Sequence, residues 1–313
     1  MSPVPTAISS LPPGVTVLER VWLSSNNIVH KGRERHAVVD TGYVSHAPQT
    51  LQLVTAALGA APLTDVVCTH LHSDHCGGNH LLQTQFQSAR TWVPQSQLED
   101  VAKWDLHALS FEETGQRCDR FIATHGLVAG QSILLGDLEW EVKHAPGHDP
   151  DSVMLFQPEF KCLISADALW ENGFGVVFPE LDGVDAFDEV GESLDLIEAL
   201  NPSTVIPGHG RVFMEVATAL ERARSRLSAF QADSGRHAKH AAKVLMKFKL
   251  MEWQSVSAAK FYHWADQARL IRTTAERFFP TMPPQQFVGL LLGELQSAGA
   301  LQIKDGQVQD LPV

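Results

Sequence analysis

Hydrophobic positions change their period along the chain. Between residues 14 and 211, short runs rich in Val, Ile, Leu and Phe alternate with stretches whose apolar side chains recur every three or four residues, with Gly or Pro between them. That alternation predicts an α/β protein. Strands are expected at 15–21, 36–40, 64–69, 89–93, 138–144, 152–156, 160–166 and 203–206, and helices at 48–58, 78–85 and 186–200. From Val216 the residues Leu220, Ala223, Leu227 and Phe230 continue one helical face, which closes a first unit spanning 1–232. Past Ser234-Gly235 the period is helical at 236–250, 265–278 and 284–298, with Gly299 placed to stop the last helix. The tail LQIKDGQVQ reads as a hairpin in which Asp305-Gly306 forms a type I′ turn and sets Ile303 opposite Val308.

The segment 233–313 is therefore a smaller, mainly helical region, and its helices followed by a hairpin resemble a winged-helix arrangement. Charge separates the two regions as well. Residues 1–232 carry 14 Lys and Arg against 29 Asp and Glu, and residues 233–313 carry 10 against 7, giving −15 and +3 within a total of −12. So acidic a chain disfavours nonspecific attachment to nucleic acid or to an anionic membrane. Lys239, Lys243 and Lys247, joined by Arg236, form a basic stripe expected to shape the mouth of the first unit or to support a subunit contact. No stretch has the ~18 apolar residues of a membrane span, and the leading MSPVPTAISSLPPG lacks a basic, then apolar, leader pattern, so a cytoplasmic protein is expected. The four cysteines, Cys68, Cys76, Cys118 and Cys162, show no C-x-x-C pair and are expected to be buried and reduced.

The chemistry concentrates at Thr69 to Gly78, THLHSDHCGG, where His70, His72, Asp74 and His75 follow a strand-like run. An H-x-H-x-D-H hexapeptide arises by chance in only about two chains per thousand of this composition, so these residues are read as metal ligands. Alternation sends His70 and His72 the same way, while Asp74 and His75 turn toward a second point about 3.5 to 4 Å from the first. His148 in HAPGHDPDS, Asp167 after FKCLISA and His209 in VIPGHG also stand at strand ends or in the loops beyond them, where ligands from several strands converge.

This ordered set resembles the metallo-β-lactamase-fold hydrolase superfamily over about residues 14 to 232. The resemblance implies an αββα sandwich with two packed sheets. It places one metal on His70, His72 and His148, the other on Asp74, His75 and His209, and Asp167 as a bridge, with Asp74 and Asp167 as the catalytic carboxylates. Asp40 in Asp40-Thr41-Gly42 would orient a ligand histidine. Imidazole and carboxylate donors without thiolate suit two zinc ions, with manganese or iron as alternatives. A shared solvent molecule whose pKa falls toward ~7 would be the nucleophile, without an organic cofactor or an acyl-enzyme.

Within that superfamily Asp167 argues against a true β-lactamase, His72 against the di-iron flavoprotein branch, and the 42 positions from Asp167 to His209 against an inserted nuclease domain. An ester, thioester or lactone hydrolase acting on a small molecule is expected. The alternatives are a ribonuclease-like phosphodiesterase that uses the C-terminal region to bind nucleic acid, and the persulfide dioxygenase branch. Trp104, Phe111, Trp170, Phe174 and Phe178 are expected to rim the site and favour an apolar acyl group. Only six Lys or Arg lie between Asp65 and Gly210, which leans against strongly anionic substrates. A homo-oligomer is left open.

Overall fold

The computed structural model describes residues 11–312; most of the segment inspected for a leader therefore lies outside the described residues. One sheet runs in the order β1 (Val15–Leu18), β2 (Asn27–Lys31), β3 (His36–Val39), β4 (Asp65–Val67), β5 (Arg90–Pro94) and β6 (His125–Leu127), antiparallel as far as β3 and parallel beyond it. A second sheet is built from β7 (Ser132–Leu135), β8 (Leu138–His144), β9 (Val153–Gln157), β10 (Cys162–Ala166) and β11 (Thr204–Pro207), neighbours in that order, with only β10 and β11 parallel.

The period of two decides the layers. Ala37 and Val39 of β3 turn inward with Val67 and meet Val153, Leu155, Ile164 and Ile206 of the other sheet. Val38 and Val66 turn outward onto Val54, Leu58 and Leu82 of helices Ala47–Leu58 and Asn79–Gln85. On the far side Phe156, Leu163 and Val205 pack against Leu194, Ile197, Leu220 and Leu227 of helices Phe187–Leu200 and Val216–Ala232. The result is two face-to-face sheets with helices outside, in which each buried Val, Leu or Ile contributes about 1.5 to 3 kcal/mol.

Three strands of the sandwich escaped the pattern. In β2 only Ile28 and Val29 are apolar, yet Asn27 and His30 are buried beside them. Asn27 donates to the Asp40 carbonyl at 3.1 Å, and His30 stands edge-on to Trp140. Strand β6 has three residues and β7 four, too few to show a period.

In the C-terminal region the expected helix at 265–278 is two helices, Ala258–Gln267 and Arg269–Phe278, broken at Ala268, whose ψ of 105° is extended. The break lets Phe261 and Ala265 of one helix and Leu270 and Ile271 of the next enter the same core. The hairpin forms as expected from β13 (Leu301–Lys304) and β14 (Gln307–Asp310), with Ile303 opposite Val308. Asp305 and Gly306 both have positive φ, 51° and 73°. Strand β12 (Ser255–Ser257), not foreseen, pairs with the other side of β14. Val176 and Leu181, the latter in the short helix Phe178–Asp182 beyond β10, are buried in this C-terminal core. Among the described residues no helix is long and apolar enough to cross a membrane.

Candidate metal centre

All seven expected ligands come together at one end of the sandwich, where the sheets are tied by a hydrogen bond from Val153 N to Thr69 O at 2.9 Å. Beyond β4 the chain stays extended through His70 and His72, then turns into the short helix Ser73–Cys76, which redirects Asp74 and His75. His148 stands in the loop between β8 and β9. Asp167 follows Ala166, which ends β10 with φ of 47°. A left-handed residue other than glycine costs about 1 to 2 kcal/mol, and here it turns the next side chain out of the sheet direction. His209 follows β11 after Gly208, where a Cβ would stand 2.2 Å from Asp167 Oδ1 and 2.9 Å from His75 Cε1, so only glycine lets the chain pass.

Three donor groups have atoms mutually within 4.8 Å: His70, His72 and His148; Asp74, His75 and His209; and His70, His75 and Asp167. Asp167 lies between the first two groups, with Oδ2 at 3.4 Å from His148 Nε2 and 3.9 Å from His209 Nε2, and Oδ1 at 3.5 Å from His75 Nε2. His209 Nε2 is 3.0 Å from Asp74 Oδ2.

A single buried carboxylate sets two of these rings. Asp40, itself at φ of 56°, accepts from Thr69 N at 2.9 Å on Oδ1, and from Thr69 Oγ1 at 2.9 Å and His75 Nδ1 at 2.8 Å on Oδ2. Having donated to Asp40, the Thr69 hydroxyl oxygen accepts from His70 Nδ1 at 3.1 Å. The Nε2 atoms of His70 and His75 are thereby aimed into the cluster, and both are buried without a hydrogen bond. His148 Nδ1 donates to the Val176 carbonyl at 2.5 Å, which leaves its Nε2 bare, 2.8 Å from His72 Nδ1. Fixing a ring through its other nitrogen is what a metal-ligating histidine requires.

Electrostatics divide the cluster. Burial, helped by neighbouring imidazoles, holds His70 well below the usual histidine value, His72 down to about 3, and His148 below the usual value. These three rings are neutral and need lose no proton to bind a cation. Burial also opposes charge on His75, but Asp167, Asp40 and Asp74 outweigh it and raise the ring well above the usual value. Burial works to raise Asp74 and Asp167, and the facing histidines overcome it, leaving Asp74 below and Asp167 well below the carboxylate range. The donor set is all imidazole and carboxylate and has two buried nitrogens without a hydrogen bond, so it fits a pair of divalent cations.

Aromatic side chains flank the cluster, and not all are those expected. Trp170 lies 5.5 Å edge-on from His209 and donates from its indole to Asp167 Oδ1 at 3.2 Å; Phe178 lies 5.1 Å from the His72 ring. Trp104 and Phe111 instead pack with Phe121, and Phe174 is buried against Phe230. Pattern reading missed Trp22, which stacks on His209 at 5.2 Å and 8° while remaining 49% exposed. It also missed Asn26, whose amide donates to the Pro207 and Gly210 carbonyls at 3.0 and 2.7 Å and so clamps the His209 loop. His144 lies outside the cluster and pairs with the Pro150 carbonyl. Cys68, Cys76 and Cys162 are buried free thiols, and Cys118 is half-buried.

Residues 20–209 match the metallo-beta-lactamase superfamily. An acyl-coenzyme A thioesterase of Gallus gallus is 27% identical over 219 residues, covering 63% of this chain and 77% of that protein. A hydroxyacylglutathione hydrolase of Legionella pneumophila is 28% identical over 145 residues, and the match spans under half of its length and of this chain, 46% of each. Among solved structures, a metallo-beta-lactamase family protein from Thermus thermophilus superposes with a TM-score of 0.58 at 18% identity, over 96% of this chain and 99% of that one. A beta-lactamase domain protein from Burkholderia ambifaria gives 0.59 at 21%, over 96% and 92%. Both structural likenesses extend through the C-terminal helices.

Proposed function

The chain belongs to the metallo-beta-lactamase superfamily, and within it we propose a dinuclear-metal hydrolase of carboxylic ester-type bonds, with a small-molecule thioester as the first substrate. The observation that carries this reading is the convergence of two donor groups on either side of Asp167, with the Nε2 atoms of His70 and His75 buried and making no hydrogen bond. Thioester is favoured over simple ester because relatives of this chain carry the names of a coenzyme A thioesterase and of a hydroxyacylglutathione hydrolase.

His70 and His148 through Nε2 and His72 through Nδ1 would hold one cation, Asp74, His75 and His209 the other, and Asp167 would touch both. Zinc suits these donors, with manganese or iron where supply favours them. Two such cations supply Lewis-acid polarisation of a carbonyl and acidify a shared water toward a pKa of ~7. The chain's own part is positioning and proton management. Asp40 keeps His70, through Thr69, and His75 in one tautomer, and Asp74, bonded to His209, would take up a proton released beside it. Trp22, Trp170 and Phe178 offer apolar faces to an acyl group. The phosphodiesterase alternative has less of its expected anchor, because Lys247 is paired with Asp310 and Lys239 and Lys243 share Glu294.

The test is metal analysis of the purified full-length protein together with a hydrolysis panel of an acyl-coenzyme A, a lactone, an aryl ester, a bis-aryl phosphodiester and single-stranded RNA. Two ions per chain and fastest turnover on the thioester are expected. Full activity with one ion per chain, or preference for either phosphodiester, overturns the reading.

A further inference from the structure

Helices Val216–Ala232 and Ser234–Trp253 meet at Asp233, and a cleft of about 790 Å³ opens beside them. Five cationic side chains line it, Arg222, Arg226, Arg236, Lys239 and Lys243, against two carboxylates, Glu221 and Glu294, a net of +3 in a chain of −12. The two lysines share Glu294. The arginines have no carboxylate partner among the described residues. Arg222 donates only to the Asn172 side chain and the Glu171 carbonyl, at 3.2 and 3.3 Å. Arg226 is half-buried between the rings of Phe174 and Phe230, 5.6 and 5.3 Å away, and its guanidinium donates to His240 Nε2 at 2.6 Å. That histidine is neutral, since burial and then Arg226 push it down to about 3. A guanidinium taken partly out of water with only neutral partners leaves its charge uncompensated, and its fork geometry suits phosphate oxygens.

The cleft adjoins the metal cradle through one turn. Trp170 N donates to Gly173 O at 2.6 Å, so the ends of this four-residue turn lie within roughly 7 Å. On one side the Trp170 indole holds Asp167; on the other Arg222 and Arg226 hold Glu171 and Asn172.

We propose that the cleft binds the phosphates of the substrate's carrier, so that the thioester cleaved at the cradle is one whose thiol sits on an arm ending in a phosphorylated nucleotide. The proposal rests on the thioester reading above. In the reaction the water oxygen bonds to the acyl carbon, the carbon–sulfur bond breaks and the sulfur takes up a proton. The cleft then retains the free thiol carrier by its phosphates. Extended RNA fits less well, because the cations are confined to one bounded cleft on a chain whose first 232 residues carry −15.

Full-length protein and the double variant Arg222→Gln, Arg236→Gln are titrated calorimetrically with coenzyme A, with pantetheine, which lacks the nucleotide phosphates, and with a single-stranded RNA oligomer. Both substituted side chains are exposed, and circular dichroism verifies that the variant folds. Coenzyme A should bind at least about tenfold more tightly than pantetheine, lose that margin in the variant, and weaken as salt rises. In kinetics the ratio of KM values for the coenzyme A and pantetheine thioesters should shift by about tenfold in the variant. Equal coenzyme A affinity in both proteins, or RNA binding that exceeds coenzyme A binding and vanishes in the variant, overturns the proposal. Coenzyme A binding that the variant abolishes, without cleavage of any thioester, defeats the thioester reading and leaves the cleft standing. Thioester cleavage indifferent to the phosphates does the reverse.

Discussion

The metal cradle and the helix Ser234–Trp253 both gather ionisable side chains, and they settle them in opposite ways. On the helix, Lys243 reaches Glu294 at 3.1 Å, and Lys247 reaches Asp310 at 2.5 Å and the Ala300 and Leu311 carbonyls at 2.8 and 2.7 Å. Lys249 bonds Glu252 at 2.7 Å, and Glu252 in turn accepts from Tyr43 at 2.9 Å. Lys247 and Lys249 thus each have an anion of their own within the protein, while Lys243 shares Glu294 with Lys239. In the cradle five buried histidines face Asp74 and Asp167, with two ring nitrogens making no hydrogen bond and one ring made basic by its neighbours. A charged cluster that closes on itself is structural, whereas one left open at fixed, aimed atoms is built around something it must bind.

Substitutions can break that contrast. Asp167→Ala should have the largest effect, loss of one ion per chain and a fall in turnover by orders of magnitude, because among the described residues no other carboxylate reaches both donor groups. Elemental analysis and single-substrate kinetics check it, and wild-type turnover would show that Asp167 has no such role. Asp40→Asn should weaken metal retention about 10- to 100-fold in competition with a chelator, since an amide N–H in place of Oδ2 cannot accept from Thr69 Oγ1 and His75 Nδ1, the bonds that fix His70 and His75.

On the helix the expectation is reversed. Lys247→Ala should cost about 1 to 3 kcal/mol in urea unfolding by stranding Asp310 and two carbonyls, with turnover within about twofold of the parent. His30 sharpens the comparison from a third place. Its Nε2 is also buried and unpartnered, but it stands alone against Trp140, and burial alone lowers it to about 3. Between its folded value near 3 and an unfolded value near ~6.5, the unfolded chain binds the proton and the folded one does not. Its contribution is therefore complete above pH ~6.5 and lost as pH falls toward about 3, by at most about 1.4 kcal/mol per pH unit. His30→Leu should flatten that acid limb in denaturant titrations between pH ~4 and ~7, to about the same extent with or without metal. Lys239→Ala, at a partly exposed pair, should change stability by less than about 1 kcal/mol.

Much of the fold was legible because buried sheets and amphipathic helices write their periods into the chain. The strands at β3, β4, β5 and β8 to β11, the helices Phe187–Leu200 and Val216–Ala232, and the Asp305-Gly306 hairpin all follow from local pattern and turn chemistry. The spacing of His70, His72, Asp74 and His75 was equally legible, because neighbours in sequence on one short stretch must be neighbours in space. What no local pattern contains is a partner from far along the chain. Strand β2 is polar by composition and becomes central only because Asn27 and His30 find Asp40 and Trp140. Trp22 reaches His209 across 187 positions of sequence. The scarcity of cations between Asp65 and Gly210 leaves strongly anionic substrates few partners in that stretch, yet the helices after Gly210 bring Arg222, Arg226 and Arg236 to the cleft behind Trp170. Sequence alone determined which residue types recur at which spacing, and hence the layers and the candidate ligands. Tertiary structure decided which charges are left uncompensated, because pairing energy depends on distance and burial rather than on order along the chain.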